Sequence, residues 1–503
     1  TWQQHAFDTI KGSDYLADQD AAEILCREAP GTVIEMEHWG TLFSRTNDGK
    51  IAQRPFGGAG IARACYAADR TGHSLLHTLF DQMVKRQITV MEDWLVLSLI
   101  ADQKRCHGVV AINLLDSKVE PIRTNAVVLA TGGYGRVYDK TTNALINTGS
   151  GIGMAYRAGV PIEDMEFVQF HPTSLYGTNI LITEGARGEG GYLINNRDER
   201  FMEKYAPEKL ELAPRDVVSQ AIQTEVNEGR GFENEYVHID LRHLGADKIK
   251  ERLPEIREIA MDFAGVDPIE EPIPIQPAQH YSMGGISVNS DCETEIAGLF
   301  AAGECACISV HGANRLGGNS LLEALVFGKI AGANAAEFAM KNQSGMGLDN
   351  FKQQLTAQEE NIERFFSRET GENLYHILND MKKIMTEHVG VFRDRRRLEV
   401  AIDKLIELQM RNEDVFVRSK VRRYNAELRA ALELSPMLEI AEVIATCALK
   451  REESRGAHKR VDFPDRNDNS WLKHSVITFA SQGHQIHYKE PVITSYQPTE
   501  RTY

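Results

Sequence analysis

The sequence predicts an α/β protein built on a doubly wound sheet, with an α+β domain inserted into it, a helical bundle after it and a C-terminal tail. Three observations carry this. Asn125–Gly133 is an apolar run that closes on Gly132 and Gly133. Ala297–Glu304 repeats the design and closes on Gly303 and Glu304. Such runs suit strands buried on both faces of a parallel sheet, and two that end in glycine place a nucleotide at the sheet's carboxyl edge. The third observation is a change of period. Leu374, Ile377, Leu378, Met381, Ile384 and Met385, then Leu398, Ile402 and Leu405, recur at helical spacing.

Taken in order, residues 1–170 alternate short helical and strand-like pieces and form the first part of the sheet domain. Residues 171–275 mix glycines, charges and prolines and form the inserted capping domain, able to move against the first. Pro268, Pro272, Pro274 and Pro277 mark a stiff return to the sheet. Residues 276–345 complete the sheet domain. Residues 346–460 form the bundle, whose charged faces are given no chemistry. Residues 461–503 show charges, prolines and aromatics without clear period and are read as a C-terminal segment.

Composition excludes several classes. At 503 residues the chain exceeds one ordinary core. No run approaches the ~18 apolar residues of a membrane helix, and no secretory leader pattern opens the chain. Any membrane link is therefore expected through a partner. The net charge of −16 argues against nucleic acid and repels anionic substrates at long range, so an acid-binding site needs its own cations. Cys305 and Cys307 are a lone C-x-C among seven scattered cysteines. That spacing offers no zinc or iron–sulfur site, and reduced thiols are expected.

The densest chemistry lies in His311-Gly-Ala-Asn-Arg-Leu-Gly-Gly-Asn-Ser320. Arg315 can grip a carboxylate with two parallel hydrogen bonds, and Gly317 and Gly318 admit a flat ligand. Ser320-Leu-Leu-Glu323 is a capping-box pattern, so a helix is expected to start at Ser320, its positive end facing an electron-rich ring. Taken alone, Arg315 reads equally well as a salt-bridged loop residue before a core helix.

Four other segments add to it. His171 stands in Phe-His-Pro-Thr, held extended by the following proline, although a lone His is more often structural. Thr183-Glu-Gly-Ala-Arg-Gly-Glu-Gly-Gly191 is costly to order, which points to function. There Thr183 can donate to a carboxylate, Glu184 can relay a proton, and Arg187 and Glu189 pair with each other or with neighbours. Arg215 and Asp216 follow Pro214 at a helix start. Asp216 suits the helix dipole, whereas Arg215 needs another anion and could also be a surface residue. His280 closes on Gly284 and Gly285. Together these supply two His, two Arg, one Thr and one Glu, an inventory for gripping two carboxylates and moving one proton.

At this point the chain resembles the flavoprotein subunit of the succinate dehydrogenase and fumarate reductase family. QFHPT, TEGARGEGG, PRDVVSQ, HYSMGG and HGANRLGGNSLLE occur in the family's order. DTIKGSDYLADQD, TTNALINTGSGIGMA, DLRHLG and REESRGAH extend the match along nearly the whole chain. The resemblance implies FAD as cofactor and interconversion of succinate and fumarate. It makes His171, Thr183, His280 and Arg315 the dicarboxylate ligands, Phe56 of RPFGG an aromatic beside the acid, Arg215 the proton donor or acceptor, and Glu184 its relay. It makes Gly132, Gly133, Ser150, Glu304, Ser320 and Leu321 the cofactor-binding residues. Ser150 stands where the family usually has Asp, and Ala186 replaces a common Cys. An iron–sulfur subunit, a membrane anchor reached through it, and a peripheral place on the cytoplasmic face of the inner membrane (the matrix side in a mitochondrion) are implied too.

The family opens with a Gly-rich fingerprint and a His bonded to the flavin in a Ser-His-Thr context. Nothing before Asp14 offers G-x-G-x-x-G, and His5 lacks that context. A unit of ~30 residues, with the flavin attachment site, is therefore expected to be missing. The rival readings are an L-aspartate oxidase-like flavoenzyme and a flavin-poor, non-catalytic form. The short link from RPFGG to AADRTGHSLLHTLF, and SDCETEIAGLF, look more like fumarate reductases.

Overall fold

Val127–Leu129 and Leu299–Ala301 pair in parallel, residue for residue, and both run into glycine-bearing turns at their carboxyl ends. The computed structural model describes residues 1–102, 104–342, 348–480 and 483–501, residues 348–350 as backbone only. A five-stranded sheet lies beside this pair in the order Ala306–Cys307, Gly285–Ser287, Ile162–Glu163, His474–Ala480, Gly483–Lys489. A three-stranded meander, Trp94–Ala101, Cys106–Asn113 and Lys118–Arg123, completes the β structure of this part.

The stretch between the parallel strands carries an antiparallel sheet, ordered Val168–Leu175, Ile273–Ser282, Val237–Asp240, Tyr192–Ile194. Helices Arg215–Asn227 and Pro254–Ala264 accompany it. Val218, Ile222, Ile239, Ile256 and Ile275 belong to a hydrophobic core of its own, separate from the main one. Proline at the start of each helix costs nothing there, because the first N–H groups have no partner within the helix.

Helices Leu374–His388, Arg395–Asn412 and Ala426–Lys450 form the bundle. Asn373, Asp394 and Asn425 cap them by accepting from Tyr375, Arg397 and Leu428 amides, each contact contributing about 1 kcal/mol. Leu374, Ile377, Met381 and Met385 are buried along one stripe, as are Leu398 and Leu405.

The C-terminal segment is more ordered than its sequence pattern suggests. His474–Ala480 and Gly483–Lys489 form a hairpin that joins the sheet through Val476 and Ile477, opposite Glu163 and Ile162. Only the first four residues of that strand are buried, so its alternation is too short to read.

The hairpin is anchored by charge. His474 Nδ1 lies 2.7 Å from Asp164 Oδ2, and its Nε2 lies 3.3 Å from Asp18. Lys489 Nζ sits 3.2 Å from Glu163. Burial opposes charge on His474, but Asp164, Asp18 and Glu163 overcome it and raise the imidazole to about 10. A raised pKa contributes stability that is complete below ~6.5, the unfolded value, and is lost as pH rises through about 10. The melting temperature of the parent should therefore exceed that of His474→Gln at pH 7, with the gap closing by pH ~10.5. A gap that stays constant over that range contradicts this account.

Candidate active site

The motifs converge where the inserted sheet meets the parallel pair. Val168–Leu175 and Ile273–Ser282 pair antiparallel with two breaks in register. At the second break Phe170 faces Gln279 and Gln169 faces Tyr281, so His280 is the extra residue. A bulge re-aims the side chain it carries, and the rings of His280 and His171 come to 4.8 Å.

His171 is fully buried. The Thr173 amide donates to its Nδ1 at 3.2 Å. Nδ1 lies equally 3.2 Å from the Thr173 carbonyl, and Nε2 is a buried polar atom without a partner. Burial first, then the charge of Arg215, holds both histidines well below the usual imidazole value. Both are neutral, and His280 is fixed through Nδ1, 2.8 Å from Thr142 Oγ1.

Arg215 opens its helix, and the anion it requires is Glu184. Its Nε donates to Glu184 Oε2 at 2.7 Å, and its Nη1 donates to Gln169 Oε1 at 3.2 Å. Burial works against charge on Glu184, yet Arg215, Arg187 and the Gly57 amide outweigh it and hold the carboxyl below its ordinary value. Arg187 does not pair with Glu189. It lies 3.8 Å from Glu184 and donates to the Glu211 carbonyl, while Glu189 bonds Arg252. Thr183 caps the short helix Glu184–Gly188 by accepting from the Gly185 amide.

Arg315 is 2 % exposed, and only its Nη1 is hydrogen-bonded, to Ser320 Oγ at 2.9 Å. Its Nε and Nη2 are buried without partners. The guanidinium lies 4.5 Å from the centre of the Tyr281 ring. Tyr281 donates to Glu323, which also lies 2.9 Å from His311 Nε2. Burial, then the Arg215 charge, pulls Arg315 down to about 9, and the charge of an arriving anion would oppose both. The capping box is therefore absent. The helix is Asn319–Lys341 with Gly318 at its N-cap, and no side chain caps it, because tertiary partners occupy both Ser320 and Glu323.

Phe56 walls one side. A methyl added at Gly317 or Gly318 would come within 3.1 or 3.7 Å of its ring. Three residues that sequence reasoning did not single out complete the frame. Gln169, just before FHPT, also donates to Asn314 Oδ1 (2.9 Å) and the Arg315 carbonyl (2.8 Å), and so ties Arg215 to the Arg315 loop. Gly57 donates its amide to Glu184 Oε1. Tyr281 lies under Arg315. Each lies inside a quoted motif, but its role depends on partners far along the chain.

The cofactor candidates surround the carboxyl ends of the parallel strands. Gly132 and Gly303 both have φ of +70°, which favours glycine. A methyl on Gly133 would meet Glu304 Oε1 at 2.3 Å. Glu304 accepts from the Ser282 amide at 2.9 Å, and burial pushes its carboxyl up to about 7. Ser150 begins a helix beside Gly151, whose added methyl would strike Thr131. Leu321 is 40 % exposed on the first turn of the long helix. Closely approachable backbone, a half-buried acceptor in Glu304 and an uncapped helix N-terminus fit a dinucleotide lying across the sheet edge.

Such a sheet edge suits a nucleotide cofactor, and residues 1–321 match the family model of an FAD binding domain. Residues 378–503 match the fumarate reductase flavoprotein C-terminal model. The chain is 43 % identical over 537 residues to a Rickettsia conorii succinate dehydrogenase flavoprotein subunit, spanning 100 % of this chain and 89 % of that protein. It is 44 % identical over 518 residues to a Mycobacterium tuberculosis fumarate reductase flavoprotein subunit, spanning 99 % and 89 %. A solved E. coli quinol fumarate reductase superposes with a TM-score of 0.96 at 41 % identity, over 100 % of this chain and 89 % of the other. The chain belongs to the succinate dehydrogenase and fumarate reductase flavoprotein family, and its cofactor is FAD. Among the described residues no helix is long and apolar enough to cross a membrane.

Proposed function

We propose that this chain interconverts succinate and fumarate, working in the direction of fumarate reduction. The observation that carries the reading is Arg315, a buried guanidinium whose Nε and Nη2 have no protein partner, set among two neutral histidines and a second arginine. Such a pocket disfavours its own cations until a dianion enters. Arg315, His171, His280 and Thr183 bind the two carboxylates, with Phe56 as a wall, and this grip polarises the double bond. Bound FAD supplies the hydride acceptor or donor. Arg215 gives a proton to the neighbouring carbon in reduction and takes it back in oxidation, and Glu184 restores it. Arginine holds its proton tightly and serves as an acid only when held in place with a rapid relay. Arg215 bonded to both Glu184 and Gln169 meets that need.

Gly132, Gly133, Ser150, Glu304, Ser320 and Leu321 are proposed to hold the cofactor, inside a sheet domain of residues 1–170 and 276–345 capped by residues 171–275. Electrons are exchanged with an iron–sulfur subunit, and through it with a membrane anchor and quinone at the inner face of the membrane. The direction is favoured by the RPFGG link and by likeness to quinol fumarate reductases. In the FAD-loaded complex, reduced viologen should drive fumarate reduction faster than succinate reduces a dye. The reverse ratio overturns the direction. A flavin spectrum indifferent to both acids overturns the function, and aspartate-dependent turnover would favour the oxidase reading.

A further inference from the structure

The chain between residues 490 and 501 has neither helix nor strand, yet it is tied down along its length. Val492 donates to Asp18, and the amides of Thr494, Ser495 and Tyr496 converge on Gln19 Oε1 at 2.9 to 3.1 Å. Thr499 is held by Tyr15 at 2.7 Å and by Arg466 at 2.9 Å. Tyr15 and Asp14 both have left-handed φ, 60° and 56°, so the Gly-Ser-Asp-Tyr segment adopts a strained turn that these contacts stabilise.

The strap delivers Arg501 to the seam between the sheet part and the inserted part. Its Nη2 donates to Asp216 Oδ2, its Nη1 donates to the Gly12 carbonyl at 3.3 Å, and its Nε lies 3.9 Å from Asp14. The side chains of Arg501 and Asp216 are 11 % and 1 % exposed. Asp216 is the residue after Arg215. The Gly12 carbonyl also accepts from Asn314 Nδ2 at 3.2 Å, and Asn314 is the residue before Arg315. One guanidinium thus holds the residue after Arg215 directly and shares the Gly12 carbonyl with the residue before Arg315, and the two arginines come from opposite sides of the seam.

We infer that Arg501 is a positioning residue that sets the spacing between Arg215 and Arg315 from outside the substrate pocket. The inference rests on the roles proposed for those two arginines. A planar fork suits the task, because it holds a carbonyl and a carboxylate at once in fixed directions. Without it Asp216 loses its ion pair with Arg501, and the first turn that carries Arg215 loses its tie across the seam.

The test is turnover of the FAD-loaded complex. A displacement of about 1 Å between reacting groups can cost ~100-fold in rate, so Arg501→Gln should lower kcat about 10- to 100-fold while KM and flavin content stay near the parent's. Asp216→Asn should do the same, and the double variant should be no slower than the slower single one, since both cut the Arg501–Asp216 bond. Arg501→Lys, with one point charge, should recover only part of the rate. A kcat for Arg501→Gln within about twofold of the parent, or an additive double variant, overturns the inference. If Arg501→Gln sheds its flavin, Asp216→Asn carries the same outcomes, because it leaves the strap's other ties in place. Arg215→Ala separates the two levels. An active Arg215→Ala removes the site reading itself, whereas an inactive one beside a fully active Arg501→Gln removes only the strap.

Discussion

Arg215→Ala should keep its flavin and bind dicarboxylates but lose turnover by ~100- to 10,000-fold, the range a positioned acid or base supplies. The neighbours left behind make this a clean test. Glu184 would still receive the Gly57 amide and would still lie 3.8 Å from Arg187, so the buried carboxylate keeps part of its stabilisation. Gln169 would lose one acceptor contact but keep both bonds to the Arg315 loop. The pocket proposed to grip the acid therefore stays assembled while the proposed proton donor disappears. Arg215→Lys should also be slow, because one ammonium cannot hold Glu184 and Gln169 from fixed directions while presenting a proton. The check is single-turnover reoxidation of reduced enzyme by fumarate, with oxaloacetate binding measured from the flavin spectrum. Substantial fumarate reduction by Arg215→Ala would remove the assignment.

The residues of this site were largely legible one at a time, and their connections were not. His171, Thr183, Glu184, Arg215, His280 and Arg315 each stand in a glycine- or proline-marked segment, which is a local signal. That Arg215 finds its anion in Glu184, 31 residues earlier, is a property of the fold. The one local prediction that failed shows why. Ser320 and Glu323 have capping-box spacing, but Arg315 takes the serine, and Tyr281 with His311 takes the glutamate. A cap worth about 1 kcal/mol gives way to charge-assisted bonds in a buried setting. The same holds for the fold. The parallel strands announced themselves by apolar runs ending in glycine, while the C-terminal hairpin, buried over four residues of one strand, carried too short a pattern. Arg501 shows the far limit, since nothing beside it in sequence hints at Asp216.

Arg315→Ala should leave the flavin in place and nearly abolish dicarboxylate binding. Removing one member of a buried charge pair costs roughly 2–5 kcal/mol, about 30- to 4,000-fold in Kd. The upper part of that range is expected for three reasons. Two of the guanidinium's nitrogens have no protein partner to satisfy, so the fork is available in full to a carboxylate. The long-range field of a chain with net charge −16 works against the ligand, so local cations carry the attraction. The two histidines are neutral, held down by burial and by Arg215, and contribute hydrogen bonds rather than charge. Arg315→Lys should recover little. Lysine loses the planar contact with Tyr281 and the simultaneous bond to Ser320, and a point charge cannot match a carboxylate edge. Titrating oxidised FAD-loaded enzyme with malonate and following the flavin band tests this. A Kd within about tenfold of the parent for either variant would place the carboxylate elsewhere, most directly on Arg215, and would merge two roles that the geometry keeps apart.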